Sequence, residues 1–534
     1  MEATENKTIE KENEIKPKKK INKRHLISLI ILLAGNAIFL LTIWLASKYD
    51  RVTLDQFVYQ MKSPAVGANR SLARSVVVCV GVIGVLLTTL EALVFHALAG
   101  NFPKKWVEKK RYIKICGSKV AKFIRKRALP IALAVLILST SFFVIKLDVV
   151  PYVSNLSTDS SFVEENYVDP WSVGLKFPQQ KRNLIYIFLE SMEVAYAEPA
   201  VGGPVTENFI PELTDLANNN VNFSHDEDFG GAQSFSGTTW TAAAMVTQTS
   251  GVVVQVPLTA GEFGGTDDDA QYMPGIVTIG EVLQKAGYQQ TILMGSDSDF
   301  AGRDTYFSNH GDYNIVDTKS LKAEGRLPED YDEWWGFEDK KLWAYAKEEV
   351  LSLAETGEPF NFTVLTCDSH FPDGYVCEDC GEEYEEQYPN VLRCCSRKAV
   401  EFVEWVQQQP FYENTTIVIC GDHLTMDPHF FSDANEEYNR TVYNCIINPA
   451  VEPVNEKNRT FGTFDMFPTT LAAMGVEIPG DRLGLGTDLF SATPTLAEVY
   501  GMDYLNGEFQ KNSDFYNSKF LDMYLTETTK KEEE

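Results

Sequence analysis

Basic residues are scarce in this chain. Its 534 residues include 47 Lys and Arg against 75 Asp and Glu, a formal net charge of −28. That balance argues against a nucleic-acid binder held by phosphate contacts. No internal repeat period is visible, and no apolar segment carries the chain of charges that a transporting or conducting span needs. Apolar residues are plentiful: 44% of the chain is hydrophobic and 12% aromatic, which excludes a wholly disordered polymer. At roughly 150 residues per domain the length corresponds to about three to four units.

The charge is unevenly placed. Residues 1–146 hold 25 Lys/Arg and 9 Asp/Glu, whereas residues 147–534 hold 22 and 66. The basic part contains three apolar runs. Leu26–Ser47 has 22 uncharged residues, long enough as a helix to cross roughly 30 Å of hydrocarbon. It is too long for a cleaved signal peptide, and no small-residue cleavage site clearly follows it. Ser75 to about Phe95 is interrupted by Glu91, whose place near a span end reads as interfacial solvation. Leu129–Ile145 is shorter, with Lys146 at its end to snorkel. Lys16, Lys18, Lys19, Lys20, Lys23 and Arg24 precede the first run; residues 97–128 hold 11 Lys/Arg and residues 48–74 hold 5. The positive-inside rule puts the N-terminus and the 97–128 loop in the cytoplasm, so three spans deliver everything after about residue 147 to the outside. Such an anchor tethers rather than conducts.

The acidic part predicts a mainly parallel α/β domain. Strand candidates are Asn183–Glu190, Val221–Ser224, Gln289–Gly295, Phe360–Thr366, Thr415–His423 and Thr441–Pro449. Helix candidates are Glu207–Asn218, Ile276–Ala286, Lys340–Thr356, Arg397–Gln409 and Phe464–Gly475. Strands alternating with helices of this length form a sheet covered on both faces. The expected organisation is a basic tail (1–25), a three-helix transmembrane anchor (26–147), a connector (148–182), a catalytic domain (183–500) and a C-terminal tail (501–534) with a disordered charged end after about residue 525.

Chemical groups gather at the carboxyl ends of the strands, where open α/β sheets place their sites. Glu190 ends the first strand. Asp297, Asp299 and Arg303 follow the strand ending at Gly295, His370 follows the strand ending at Thr366, and Asp422–His423 closes another. An adjacent carboxylate and imidazole suit Mn²⁺, Mg²⁺ or Zn²⁺; the plain alternative is an Asp capping a turn beside a surface His. Glu190 has the same plain alternative of a turn cap. Residues 230–251, GGAQSFSGTTWTAAAMVTQTSG, form a flexible loop running into a helix near Thr241. A hydroxyl there meets the positive end of the helix dipole, and a metal could turn it into a nucleophile. On local sequence alone an N-capping Thr is the simpler reading, and Ser234, Ser236, Thr238 and Thr239 are rival hydroxyls.

The order LESME, Thr-headed helix, CDSHFPDG, GDHLTMD resembles the sulfatase/alkaline-phosphatase superfamily. Within it the chain is similar to the membrane phosphoglycerol transferases, a group that includes lipoteichoic acid synthases and the enzymes that decorate periplasmic glucans. QPFYENTTIVICGDHLTMD and GDRLGLGTDLFS carry the likeness to the glucan-modifying branch. The resemblance spans roughly residues 183–495 and implies an extracytoplasmic alkaline-phosphatase/sulfatase-like α/β/α sandwich on a multi-pass anchor in a bacterial cell membrane. It implies one divalent cation, usually Mn²⁺ with Mg²⁺ or Zn²⁺ as alternatives, held by Glu190, Thr241, Asp422 and His423. Thr241 is then the catalytic nucleophile, supported by Ser250–Gly251 about ten positions on, and His370, also catalytic, and Arg303 lie on the substrate side, where they hold or protonate the non-bridging or leaving oxygens. Where lipoteichoic acid synthases have a Trp and an acidic residue near that Arg, this chain has Ala301 and Ser296; Asp297 or Asp299 is a substitute carboxylate for binding substrate. The implied reaction moves glycerol phosphate from phosphatidylglycerol to a surface glycan or glycolipid through a phospho-threonine.

Of the nine cysteines, Cys79 lies in a span and Cys116 in the cytoplasmic loop. Cys377, Cys380, Cys394 and Cys395 cluster after the His370 motif. Two disulfides are the first reading in an outside compartment, with a structural zinc site as the rival. Cys367, Cys420 and Cys445 read as buried thiols. Trp240, Trp334 and Trp335 are either sugar-stacking or core residues, and His429 reads as structural. A phosphoethanolamine transferase, expected to carry more His near the metal, and a non-catalytic tethered binding module remain as alternatives. A sulfatase is excluded, because residues 230–251 contain no Cys/Ser-x-Pro/Ala-x-Arg setting for formylglycine.

Overall fold

The computed structural model describes residues 23–49, 52–68, 70–98, 119–257, 261–265 and 270–521. Lys16, Lys18, Lys19, Lys20, Cys116, most of the basic 97–128 loop and the charged C-terminal end lie outside the described residues. The chain divides into two compact units, Met1–Trp44 with Ser75–Phe143, and Leu45–Arg74 with Val144–Glu534.

In the first unit the apolar runs form helices. Among the described residues, Leu26–Lys48, Arg70–Phe95 and Lys126–Lys146 are long and apolar enough to cross a membrane, matching the three expected runs. The second contains a π-helical stretch, Val77–Ile83. Glu91 is not left to interfacial solvent alone. Asn36 donates its amide to Glu91 Oε2 at 2.9 Å and to Thr88 Oγ1 at 3.0 Å, which gives two polar side chains in apolar helices their partners.

The second unit is built on a six-stranded sheet of β1 (Asn183–Leu189), β2 (Gln289–Met294), β3 (Asn314–Val316), β4 (Phe360–Leu365), β5 (Thr415–Gly421) and β6 (Asn444–Ile447), in the order β3-β2-β4-β1-β5-β6. All neighbours are parallel except β5 and β6. Successive strand side chains point to opposite faces. In β1, Leu184, Tyr186 and Phe188 therefore enter one apolar core while Ile185, Ile187 and Leu189 enter the other. Both faces are covered, which explains why the central strands read as unbroken apolar runs.

Four details depart from the sequence reading. Val221–Ser224 is not a strand: Val221 makes an isolated bridge to Ile446. The helix expected from Arg397 begins at Gln387, with Pro389 tolerated in its first turn because no intrahelical N–H is required there. The expected connector and tail are packed parts of the unit rather than links. Phe162 and Val163 share the core with Leu505, Phe509, Tyr516 and Phe520, and Val168 exchanges backbone hydrogen bonds with Gly484. The last departure concerns the segment between the first two apolar runs, which belongs to this unit. Its helix Leu54–Lys62 buries Tyr59, whose hydroxyl lies 2.7 Å from that of Tyr272 and donates to Ala301 O at 2.8 Å.

Candidate active site

β1 and β5 run side by side in register from Asn183↔Thr415 to Leu189↔Gly421. Their carboxyl ends therefore deliver Glu190 and Asp422–His423 to one place. Gly421 is required at that junction, because a Cβ there would overlap the Met192 carbonyl oxygen. Facing these ends is the helix Thr241–Ser250, which starts after an extended Trp240 without a side-chain cap and ends at Gly251 in the left-handed region (φ +69°). Its uncapped N-terminus turns free N–H groups and the positive end of the dipole toward the site.

The half-buried Thr241 hydroxyl lies 3.3 Å from Glu190 Oε2 and 3.3 Å from His423 Nε2. His423 Nε2 is 3.8 Å from Glu190 Oε1 and 3.4 Å from Asp422 Oδ2. None of the rival hydroxyls has these neighbours. Thr238 bonds within its own turn to Phe235, Thr239 accepts from Gln56 Nε2 at 2.6 Å, Ser236 reaches Asp55 at 3.5 Å, and no contact links Ser234 to Glu190 or His423.

Whether these groups suit a cation can be judged from their own hydrogen bonds. Burial, reinforced by the charge of Asp422, pushes the Glu190 carboxyl well above the usual carboxylate range. Two buried carboxylates side by side are costly without a positive partner. Asp422 Oδ1 accepts the N–H groups of Ser191 and His423, each at 2.7 Å, while Oδ2 is buried and has no hydrogen-bond partner. His423 Nδ1 lies 2.7 Å from Leu424 O, a contact that needs the proton on Nδ1 and leaves the Nε2 lone pair directed at the carboxylates. Ligand atoms of Glu190, Asp422 and His423 all lie within 4.8 Å of one another. The donor set fits one divalent cation with oxygen and nitrogen ligands.

Of the residues expected on the substrate side, Arg303 interacts electrostatically with Glu190 and His370 with His423. Arg303 is buried and donates to Phe300 O, Ser296 Oγ and Asp297 O at 3.0, 3.1 and 2.8 Å through Nε and Nη2. Burial lowers its pKa, and the negative charge of Glu190 opposes the shift. Ser296 thus supplies a neutral contact to Arg303, and Ala301 donates its N–H to Pro64 O of the segment between the first two apolar runs. His370 Nδ1 lies 2.7 Å from Phe371 O, and its ring packs 4.6 Å from Trp335. Burial, with the positive charge of Arg303, takes the His370 pKa down to about 3, so the ring has no imidazolium proton to give a leaving oxygen. Asp297 and Asp299 both pair with Lys319, Asp297 at 3.2 Å.

Trp240 packs on Tyr59 at 5.1 Å and Trp334 donates to Cys367 O. His429 contributes its backbone N–H to Asp427. The two expected disulfides are not formed. Cys377, Cys380, Cys394 and Cys395 are free thiols. Consecutive helical residues point about 100° apart, so Cys394 faces Cys377 at 3.7 Å while Cys395 faces Asp339 at 3.9 Å.

Several supports escaped the sequence reading. Ser191, at φ +52°, donates its hydroxyl to Glu190 at 2.8 Å and its N–H to Asp422. Gln248 donates to Gly421 O and accepts from Tyr186 OH, bracing the end of β5. Glu193 accepts two bonds from Arg440 and one from Thr425 N, fixing the turn after His423. The signal for Ser191 was its place beside Glu190 in LESME; the others come from distant segments.

A mainly parallel sheet with both faces covered, and a helix-heading hydroxyl over a carboxylate pair and an imidazole at its carboxyl edge, define the α/β class to which alkaline phosphatases belong. The chain belongs to the sulfatase family, whose model matches residues 182–476. Phosphoglycerol transferase I of Salmonella choleraesuis is 28% identical over 332 residues, 60% of this chain and 41% of that protein. Phosphoglycerol transferase I of Escherichia coli shows the same identity and coverage. The chain therefore spans about two fifths of the length of these curated relatives. The lipoteichoic acid synthase LtaP from Listeria monocytogenes superposes with a TM-score of 0.45 at 17% identity, covering 62% of this chain and 80% of that one. The phosphoethanolamine transferase EptA from Neisseria meningitidis gives 0.45 at 13%, covering 85% and 84%.

Proposed function

We propose that this chain is a membrane-tethered phosphotransferase that moves glycerol phosphate from phosphatidylglycerol to a surface glycan or glycolipid. The catalytic unit lies outside the membrane, Thr241 is the nucleophile, and one divalent cation, Mn²⁺, is held by Glu190, Asp422, His423 and the Thr241 oxygen. The observation that carries this reading is the Thr241 hydroxyl set 3.3 Å from both Glu190 and His423, beside the unpartnered Asp422 Oδ2.

When bound, the cation lowers the pKa of the threonine hydroxyl and offsets charge gathering on the phosphoryl oxygens. Thr241 Oγ attacks phosphorus as its own proton passes to solvent; the bond to the diacylglycerol oxygen breaks, and that oxygen takes a proton from solvent. The phosphoglycerol is then esterified to Thr241. In the second step an acceptor hydroxyl gives up its proton to solvent and attacks the same phosphorus, and Thr241 Oγ leaves and is reprotonated. Arg303 has Nη1 uncommitted in the hydrogen bonds that fix its other nitrogens, and it holds a non-bridging oxygen. His370 is neutral at pH 7 with its Nδ1 proton directed at Phe371 O, so Nε2 accepts a hydrogen bond from the incoming hydroxyl and orients it. Anchoring keeps the site beside a donor that does not leave the bilayer. Local cations such as Arg303 must overcome the long-range repulsion between the acidic unit and an anionic lipid.

The test is diacylglycerol release from labelled phosphatidylglycerol by the purified full chain, with and without Mn²⁺. Release that requires Mn²⁺ and disappears in Thr241→Ala supports the reading. Release that persists in Thr241→Ala refutes the nucleophile, and turnover confined to phosphatidylethanolamine refutes the donor.

A further inference from the structure

Away from the phosphoryl-transfer site, the loop that follows His370 brings three thiols together. Cys377 and Cys380 lie on the loop between β4 and the helix Gln387–Gln407, and Cys394 lies on that helix. Cys377 Sγ is 3.6 Å from Cys380 Sγ and 3.7 Å from Cys394 Sγ, and the three sulfurs lie within 4.8 Å of one another. Neither separation is that of a disulfide, which needs about 2.0 Å. Both match the edge of a tetrahedron around a zinc ion: sulfurs at about 2.3 Å from a central Zn²⁺ stand about 3.8 Å apart.

We propose that Cys377, Cys380 and Cys394 bind a structural zinc ion that ties the loop carrying His370 to the helix Gln387–Gln407. The surrounding charges fit this assignment. Three thiolates and one Zn²⁺ leave a net charge of −1, and a cation is already in place. Lys398 is buried, with a side-chain exposure of 8%, and donates to Cys377 Sγ at 3.0 Å. Arg397 Nη2 donates to Cys394 Sγ at 3.6 Å and to Asp379 O at 2.7 Å. Lys398 Nζ also pairs with Asp379 Oδ2 at 3.2 Å, so one ammonium bridges a carboxylate and the Cys377 sulfur, and its charge favours the thiolate form that zinc requires. Three thiolates leave the fourth position of the tetrahedron to a further ligand. The adjacent Cys395 is excluded by its direction, since its thiol faces Asp339.

This site shares no ligand with Glu190, Asp422 and His423, so its test is independent of the lipid reaction. The full chain is purified in detergent without chelator. Metals are counted by plasma mass spectrometry, and the zinc environment is read by X-ray absorption. The expected result is about one zinc per chain with sulfur neighbours at about 2.3 Å. That zinc is lost in Cys394→Ser and retained in Cys395→Ser and Asp422→Asn. Cobalt substitution should add a thiolate-to-metal charge-transfer band in the wild type. A zinc environment without sulfur, full zinc retention in Cys394→Ser, or a disulfide among the three cysteines in the non-reduced wild-type protein would each overturn the proposal. The wild-type measurements decide the matter even if the Ser variant fails to fold.

Discussion

Binding of a cation between Glu190 and Asp422 should change the sign of what one mutation does to stability. In metal-free protein the two buried carboxylates repel, and burial already drives Glu190 toward its protonated form. Asp422→Asn removes one charge while its amide oxygen can still accept from Ser191 N and His423 N. The metal-free variant should therefore melt at or above the wild-type temperature. Added Mn²⁺ reverses the order. At a free concentration a hundred times Kd, a ligand that binds only the folded state adds about 2.7 kcal/mol. The catalytic unit, Leu45–Arg74 with Val144–Glu534, has about 420 residues; at about 2.1 cal/mol/K per residue its unfolding entropy is about 0.9 kcal/mol/K. The wild type should gain about 3 °C and Asp422→Asn almost nothing. Differential scanning calorimetry on the solubilised protein, titrated with Mn²⁺, reads both. An equal rise in the variant, or no rise in the wild type, refutes the assignment of Asp422 as a ligand.

Other outcomes follow from single contacts. Tyr59→Phe leaves Tyr272 OH and Ala301 O without their partner and should cost about 1–3 kcal/mol, seen as a lower urea midpoint at unchanged slope. Arg303→Lys keeps the charge but loses the planar fork that bonds Phe300 O, Ser296 and Asp297 O; kcat/KM should fall about 10- to 100-fold with metal binding unchanged. Gly421→Ala drives a methyl group into the Met192 carbonyl and should abolish Mn²⁺ binding along with activity, measured by titration calorimetry. Burial pushes the Asp488 carboxyl up to about 7, so between about pH 4 and 7 the folded chain binds the extra proton and stability falls as pH rises. Asp488→Asn should flatten that slope in melting curves taken across the window.

The centre of the sheet was legible because buried parallel strands are written as continuous apolar runs. NLIYIFL and TTIVICG needed no other signal, and each is followed directly by site candidates, Glu190 after one and Asp422–His423 after the other. Thr241 was legible as the head of an Ala-rich helix ending at Gly251. The direction of β6 was not, since periodicity carries no information about strand polarity, and β3 has only 3 residues. The helix Leu54–Lys62 was hidden by its position between two spans. Nothing local in LDQFVYQMK shows that Tyr59 is buried against Tyr272 or that Gln56 holds Thr239, contacts that bridge 213 and 183 residues. The same holds for residues 148–182 and 501–521, whose apolar side chains meet distant partners, Phe162 packing on Phe509 and Tyr167 on Phe520. At the cysteines, clustering was readable, but which of the adjacent Cys394 and Cys395 faced Cys377 depended on helical phase.

The central claim is that the Thr241 oxygen itself carries the transferred group. Wild-type protein incubated with phosphatidylglycerol and Mn²⁺, without acceptor, should be quenched and its peptides mapped by mass spectrometry. A phosphoglycerol adduct confined to Thr241 is the predicted result. An adduct on Ser234, Ser236, Thr238 or Thr239, or diacylglycerol release with no adduct on the chain, would contradict it.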